Sequence, residues 1–399
     1  LEIARSFNIK VREGAEGRKN LIPKAADWRS SNPGSLAVIH SSSAGEFEAS
    51  LPLIRALKKR GMMTAATLYS PSGYKIAGKN SEPDVVLYLP FDSRRAIKAF
   101  LKALRPDLFI FCKHDIWPNV MWECEAQGII TAVVNANLHQ RSFRLNPLLI
   151  GFNRHIFRKF SAIFTVSQEH AERLDSILGF SGKVQIPGDT RFDRVVSRAV
   201  DAEIELPDAF RDNPVFIGGS VWDAEMFVLD SFLEIRRKNP QWRLIWVPHE
   251  PSERVIYKVE SALAEAGMSF IRFSRLTANQ DAQALIVDKV GVLPPLYRFA
   301  DFAYVGGGFG KGVHSVIEPA VFSIPVIFGP NHYVSAEAGE LLKRGGGFSV
   351  NNREDCFTLL NNLMSDDKMR LQAGHTSGAM VKEKSGVAEI IADKLMELM

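Results

Sequence analysis

Residues 304–332, YVGGGFGKGVHSVIEPAVFSIPVIFGPNH, decide how the rest of the chain is read. The stretch opens at the end of a short apolar run, 302–305, with the pattern of a buried parallel strand. Gly306, Gly307, Gly308, Gly310 and Gly312 follow, with Lys311 among them. A helical segment is expected from about Ser315. Residues 324–328 then form the next strand, closed by Gly329-Pro330. Glycines let backbone N–H groups approach an anion closely, and a helix N-terminus adds partial positive charge. His314 and Glu318 are spaced to share one face of the first helical turn, where a carboxylate suits two neighbouring sugar hydroxyls. The same run also fits a tight turn before a helix with a solvated glutamate.

Working outward, the same alternation recurs on both sides. Before it lie strand patterns at 36–40, 64–69, 85–89, 108–112, 129–135, 162–166 and 184–187, with helical segments between them. After a polar link at 201–213 a second series runs through 215–218, 244–247, 269–273, 284–287, 302–305 and 326–328. Strands alternating with helices specify an α/β fold, here two Rossmann-like doubly wound domains. We place the first at 1–200 and the second at 201–385. A last helix at 386–399 is expected to return to the first. In such sheets ligands sit beyond the carboxyl ends of the strands, so the loops after 36–40, 108–112, 215–218, 244–247 and 302–305 are expected to share a cleft. Residues 1–34 are polar and basic; EGRKNLI, 16–22, fits an approach to the first strand, and the segment equally fits a solvated tail.

The 399 residues suit two domains of ordinary size, and 46% hydrophobic content is enough for full cores. A net charge of +4 gives no reason to expect nucleic-acid binding. Cys112, Cys124 and Cys356 form no CxxC pair and fit a reducing compartment without a metal or disulfide framework. No stretch of eighteen apolar residues is present. The chain begins at Leu1 rather than Met, which leaves open a leading segment.

Several loops carry chemistry of the right type. SSSAGEFEAS begins at Ser41, and its Glu46 falls in a first helical turn, where the dipole favours a carboxylate. KHDIWPNV, 113–120, follows a buried strand. NANLHQRSFR, 135–144, opens a stretch, 138–160, without a single acid, in which Arg141, Arg144, Arg154, Arg158 and Lys159 alternate with Phe and Leu. That mixture suits an anionic lipid surface, and equally a partly buried helix with snorkelling arginines. GDTRFDRV, GGSVWDAE and WVPHEPSER complete the set, beginning at Gly188, Gly218 and Trp246.

Taken in order, these motifs resemble the Kdo transferases, which add 3-deoxy-D-manno-octulosonic acid to lipid A. The family's H-N-x-x-E is similar to His314-Ser315-Val316-Ile317-Glu318, with Ser315 in place of Asn. Its S-x-G-E is matched by Ser43, Gly45 and Glu46, and its E-T-E-L-W-P-N by Asp115, Trp117, Pro118 and Asn119, with Lys113 and His114 departing. Its N-A-R-L-S-x-R-S is matched at Arg141 and Ser142, and its G-x-x-[KR]-F-D at Arg191. Where members have P-R-H-P, this chain has Pro248-His249-Glu250-Pro251.

The resemblance implies a GT-B arrangement and an inverting, metal-independent glycosyltransferase. It would move Kdo from CMP-Kdo, a co-substrate rather than a cofactor, to a lipid A precursor. Glu46 would be the general base. Arg191, Ser220, His249, Gly307, Gly308, His314 and Glu318 would bind the donor. Ser43, Gly45, Asp115, Asn119 and Arg141 would bind the acceptor. It also implies an anionic membrane surface as partner, no nucleic acid, and a place on the cytoplasmic face of the inner membrane, peripheral or through an N-terminal anchor. The alternatives are a UDP-sugar-dependent transferase or epimerase of the same fold, and a non-catalytic lipid- or sugar-binding protein. Lys113 and His249, where the motifs depart, are the best support for the last.

Overall fold

The computed structural model describes residues 9–113, 115–140, 142–179, 182–201, 204–277 and 281–399. The chain divides into two compact units, Leu1–Arg194 with Ser385–Met399, and Val195–Lys384. The division falls inside one helix, Thr190–Asp201, slightly earlier than the composition shift suggests.

In the first unit β1 (Leu36–Ser41), β2 (Met63–Leu68), β3 (Val85–Tyr88), β4 (Leu108–Cys112), β5 (Ile130–Ala136), β6 (Ala162–Thr165) and β7 (Val184–Gln185) form one sheet, ordered β3-β2-β1-β4-β5-β6-β7. Every pairing is parallel. Alternate residues feed opposite faces, as the two-residue period of a strand requires. Leu36, Val38, Phe109 and Phe111 enter one core, and Ala37, Ile39, Leu108 and Ile110 the other. The helix Val387–Met396 adds Ile391, Ala392 and Leu395 to the second core, and its Glu389 and Asp393 pair with Arg60.

The second unit repeats the plan. It contains β8 (Val215–Val221), β9 (Arg243–Pro248), β10 (Phe270–Arg272), β11 (Ala284–Ile286), β12 (Phe302–Val305), β13 (Val326–Phe328) and β14 (Gly347–Ser349). Their order is β10-β11-β9-β8-β12-β13-β14, again all parallel. The two doubly wound sheets bear out the expected fold. β14 is the one strand that the sequence pattern does not announce. It is three residues long and begins with glycine, too short for a period to show.

Chain order reverses between β1 and β4 in the first sheet and between β8 and β12 in the second. Such topological switch points open a crevice at the carboxyl ends of the strands, where α/β folds bind ligands. The loops after β1 and β4, and after β8 and β12, are those quoted above for their chemistry.

Residues 9–31 correct the expectation of a solvated tail. They form the helices Ile9–Glu16 and Leu21–Ser31. Arg18, between them, donates to the carbonyls of Leu89, Gly14 and Tyr69 and lies over the rings of Tyr69, Tyr88 and Phe91. A guanidinium held by three carbonyls and three aromatic faces pins this segment to the sheet.

Candidate active-site loops

The first unit's switch point presents one carboxylate. Ser43 caps the helix Ala44–Lys59, and its side chain accepts from the Glu46 N–H. Glu46 is 9% exposed and turns back toward the strand, where its Oε2 accepts from the Ser42 N–H and hydroxyl, both at 2.7 Å. Among the described residues nothing bonds its Oε1. Beside it Gly45 sits in ordinary helical backbone, and a Cβ there would meet nothing within 4 Å. Glycine inside a helix costs about 1 kcal/mol relative to alanine, and no packing neighbour requires it here. Gly45 is solvent-exposed. Glu48, by contrast, is paired with Arg194 at 2.6 Å.

Beneath the loop, His40 donates or accepts at Thr67, and burial pushes its pKa down to about 3. It stays neutral and cannot compete with Glu46 for a proton near pH 7. Cys112, at the end of β4, is buried with its thiol pKa pushed up to about 12. Asn135 and Thr190 bond each other twice, and the Thr190 hydroxyl donates to the Ala49 carbonyl at 2.5 Å. This buried contact locks the start of the helix Thr190–Asp201 against the helix that carries Glu46.

The remaining first-unit candidates are less uniform. Asp115 lies near Arg144, a guanidinium whose pKa burial lowers and Asp115 partly restores. Asn119 spends its amide on the Asp92 carbonyl at 3.0 Å, while Trp117 stacks on Tyr69 at 4.8 Å. Arg141, like His114, lies outside the described residues. Arg191 pairs with Asp189 at 2.7 Å within its own loop.

The stretch 138–160 is partly packed against the unit and partly exposed. Arg154 donates to the Ile177 carbonyl at 2.6 Å and Arg158 to the Leu178 carbonyl at 3.2 Å, capping the end of the helix Gln168–Leu178. Lys159 pairs with Glu125. Arg158 nevertheless remains exposed. Of the apolar residues, Phe143 is 75% exposed, Leu148 92% and Phe152 is also exposed, while Leu138, Ile156, Phe157 and Phe160 are buried in the core.

The second unit's switch point is built around a residue that the motifs did not single out. Glu225 is 1% exposed. It accepts from the Trp222 N–H at 3.0 Å, the Tyr304 hydroxyl at 3.0 Å, the Gly307 N–H at 2.9 Å and the Phe309 N–H at 3.3 Å. Burial and Glu225 push the Tyr304 pKa up, so that its hydroxyl stays a donor. The glycine loop is thus organised on a buried carboxylate. The sequence signal was an acid three residues after Trp222 in a loop following a strand, the spacing of a helix-start glutamate.

This changes how the glycines are read. The N–H groups of Gly306, Gly307, Phe309, Gly310 and Gly312 all donate within the protein. The expectation that the Gly307 N–H meets an anion is corrected; that of Gly308 has no partner among the described residues. The glycines answer close approach instead. A Cβ at Gly306 would stand 2.1 Å from the Ser220 carbonyl oxygen, and one at Gly308 2.5 Å from the Gly329 nitrogen. Ser220 itself takes a left-handed backbone, φ 54°, at the end of β8.

His314 precedes the short helix Ile317–Ala320 rather than lying on it, so the shared helical face expected with Glu318 does not form. Its ring stacks on His249 at 4.5 Å, and His249 on Trp222 at 4.1 Å. The Trp222 Nε1–H donates to the His314 Nε2 at 3.1 Å. Burial, followed by His249, lowers the His314 pKa. Glu318 lines a small cavity with Val195, Arg198, Ala199 and Pro294. No hydrogen bond reaches its carboxylate among the described residues, and burial raises its pKa against the opposing effect of Arg198.

Residues 15–194 match the family model described as 3-deoxy-D-manno-octulosonic-acid transferase (kdotransferase). The chain is 28% identical to a 3-deoxy-D-manno-octulosonic acid transferase of Chlamydophila psittaci, over 79% of this chain and 74% of that protein. It is 25% identical to the Haemophilus influenzae enzyme of the same name, over 90% and 86%. A bifunctional glycosyltransferase/methyltransferase of Fusobacterium nucleatum is 27% identical over 83% of this chain, which spans only 53% of that relative's length. In fold, the chain is similar to a UDP-GlcNAc 2-epimerase of Neisseria meningitidis, with TM-score 0.63, 14% identity and coverage of 91% and 99%. These matches bear out the resemblance drawn from the motifs.

Proposed function

We propose that this chain, a glycosyltransferase related to the Kdo transferases, moves Kdo from CMP-Kdo to a hydroxyl of a lipid A precursor, with inversion and without a metal. The observation that carries the reading is Glu46. It stands at the first unit's switch point with one carboxylate oxygen held by Ser42, the other without a partner among the described residues, and an exposed glycine, Gly45, before it. A general base needs this arrangement: fixed orientation through one oxygen and a free lone pair on the other.

In the proposed reaction the acceptor hydroxyl gives its proton to Glu46 as its oxygen attacks the anomeric carbon. The bond from that carbon to the phosphate oxygen breaks, and CMP leaves with the electron pair. Charge that develops on the leaving phosphate needs donors already in place. The unpartnered Gly308 N–H and His314 are assigned to it. The partly buried Glu318 is assigned to the ribose hydroxyls, which would supply the hydrogen bonds its carboxylate lacks. Arg191 is committed to Asp189, so donor binding is rested on the second unit's own residues.

The acceptor is a lipid, and the exposed Phe143, Leu148 and Phe152 are proposed to meet the membrane surface that holds it. Among the described residues no helix is long and apolar enough to cross a membrane. The deciding experiment is turnover of CMP-Kdo with a tetraacyl lipid A precursor, with CMP and UDP as competitors. Product formation inhibited by CMP is expected. No product, together with tighter binding of UDP than of CMP, would replace this reading with a UDP-sugar enzyme of the same fold.

A further inference from the structure

In the second unit Trp222 and His314 lie side by side with His249 stacked over both, and this arrangement has a chemical consequence. An indole N–H can only donate, and a neutral imidazole has one donor and one acceptor nitrogen. The Trp222 Nε1–H points at the His314 Nε2 at 3.1 Å. That nitrogen must therefore be the acceptor, and the proton of the neutral ring sits on Nδ1. Protonation of Nε2 would break the bond, so the contact opposes the imidazolium form. The charged and titratable groups that act on His314 are His249, stacked on it, and Glu225, beneath the loop. Lys258 and Arg254 are taken up by Asp223. Among the described residues nothing accepts from the His314 Nδ1.

Three features hold the pair in register. The Trp222 N–H is anchored on Glu225. The His314 N–H donates to the Gly306 carbonyl at 3.0 Å. His249 lies across the faces of both rings, 4.1 Å from Trp222 and 4.5 Å from His314, and its own N–H donates to the Val221 carbonyl at 2.9 Å. Backbone and stack together leave the indole one direction in which to donate. This is the way a histidine's second nitrogen usually sets what its first can do.

We propose that Trp222 is a positioning residue that fixes His314 as the neutral Nδ1–H tautomer, so that the loop offers an acceptor-only oxygen of the nucleotide-sugar, its phosphate, a hydrogen-bond donor. The choice of phosphate rests on the functional reading above; the tautomer does not. A neutral donor keeps its function as pH rises through the range where an ordinary histidine loses its charge. A histidine freed of the indole would bind phosphate as imidazolium at low pH. At high pH it could present the wrong nitrogen.

Trp222→Phe tests this, because it keeps an aromatic face on His249 and removes the indole N–H. The tautomer is read from long-range proton–nitrogen correlations in protein with 15N-labelled histidine. The parent is expected to show His314 with hydrogen on Nδ1 alone at pH 7, and Trp222→Phe a mixture with a higher pKa. CMP binding is then titrated at pH 6 and pH 8. The ratio of variant to parent Kd is expected to rise about fivefold between them, the size of one hydrogen bond, while phosphate ionisation cancels in the ratio. In a His314→Ala background, Trp222→Phe should have no further effect. A parent His314 protonated on Nε2, or an unchanged tautomer in the variant, overturns the proposal. So does a flat Kd ratio when the parent binds CMP. A parent that does not bind CMP sinks the functional reading instead, and the nitrogen spectra still decide the tautomer.

Discussion

Glu46 and Glu225 occupy equivalent places in the two units. Each follows the first strand in chain order of a seven-stranded parallel sheet, at the point where strand order reverses. Each is buried and accepts from backbone N–H, Glu46 from that of Ser42 and Glu225 from three. The difference lies in what is left over. Both oxygens of Glu225 are occupied, by three N–H groups and a phenol. Glu46 has one oxygen occupied and one not. A carboxylate whose lone pairs are all taken holds structure; one that is half taken is oriented and still able to accept a proton. The same residue type at the same place in the same fold therefore serves two ends, decided by how many donors the neighbouring loop supplies.

The comparison breaks most visibly on activity. Glu46→Gln keeps the shape and removes the base, so turnover should fall by about 10²–10⁴, with CMP affinity unchanged. Retention of more than a tenth of parental turnover would remove Glu46 from the mechanism.

Glu225→Ala should do the reverse. Four donors lose their acceptor at once, and unfolding in urea is expected to come easier by about 3 kcal/mol. CMP binding should weaken along with stability. An unchanged urea midpoint would mean that the glycine loop does not depend on this carboxylate.

Glu318 extends the comparison, because among the described residues no donor reaches its carboxylate. Burial raises its pKa above the ordinary 4.5. The native state then binds the proton more tightly than the unfolded chain does. The stability cost is absent below pH 4.5, grows as pH rises to the raised pKa, and is complete above it. Glu318→Gln should therefore leave the free protein at pH 7 as stable as the parent or slightly more so, and weaken CMP by about tenfold, the loss of a charge-assisted hydrogen bond. A thermal melt and a calorimetric titration read the two effects. An unchanged CMP affinity would take Glu318 out of the donor site.

The smallest effect concerns the first unit alone. Leu148→Asp places a charge on the most exposed apolar residue of the 138–160 stretch. Sedimentation with anionic vesicles should fall by about fivefold to tenfold, as the burial of one leucine is lost. Turnover of a water-soluble acceptor should not change. Equal sedimentation of variant and parent would place the lipid contact elsewhere.

Much of this was legible in the chain itself. Short apolar runs separated by helical segments gave thirteen of the strands their places, because burial on both faces and a helix between neighbours leave a local pattern. Ser43, Gly45 and Glu46 were legible for the same reason: a cap, a glycine and an acid at the start of a helix are neighbours in sequence. What stayed hidden depended on partners brought together from far along the chain. Glu225 meets the Gly307 N–H across a sequence separation of 82, and Trp222 meets His314 across 92. No spacing rule reaches that far.

The fold class and the loops that flank each sheet's carboxyl edge were thus written in local periodicity. Tertiary structure alone decided which N–H groups were already spent, which carboxylate kept a free oxygen, and that Arg154 and Arg158 would cap a neighbouring helix. A hydrogen bond is settled only when both of its ends are in place, and the sequence shows one end at a time.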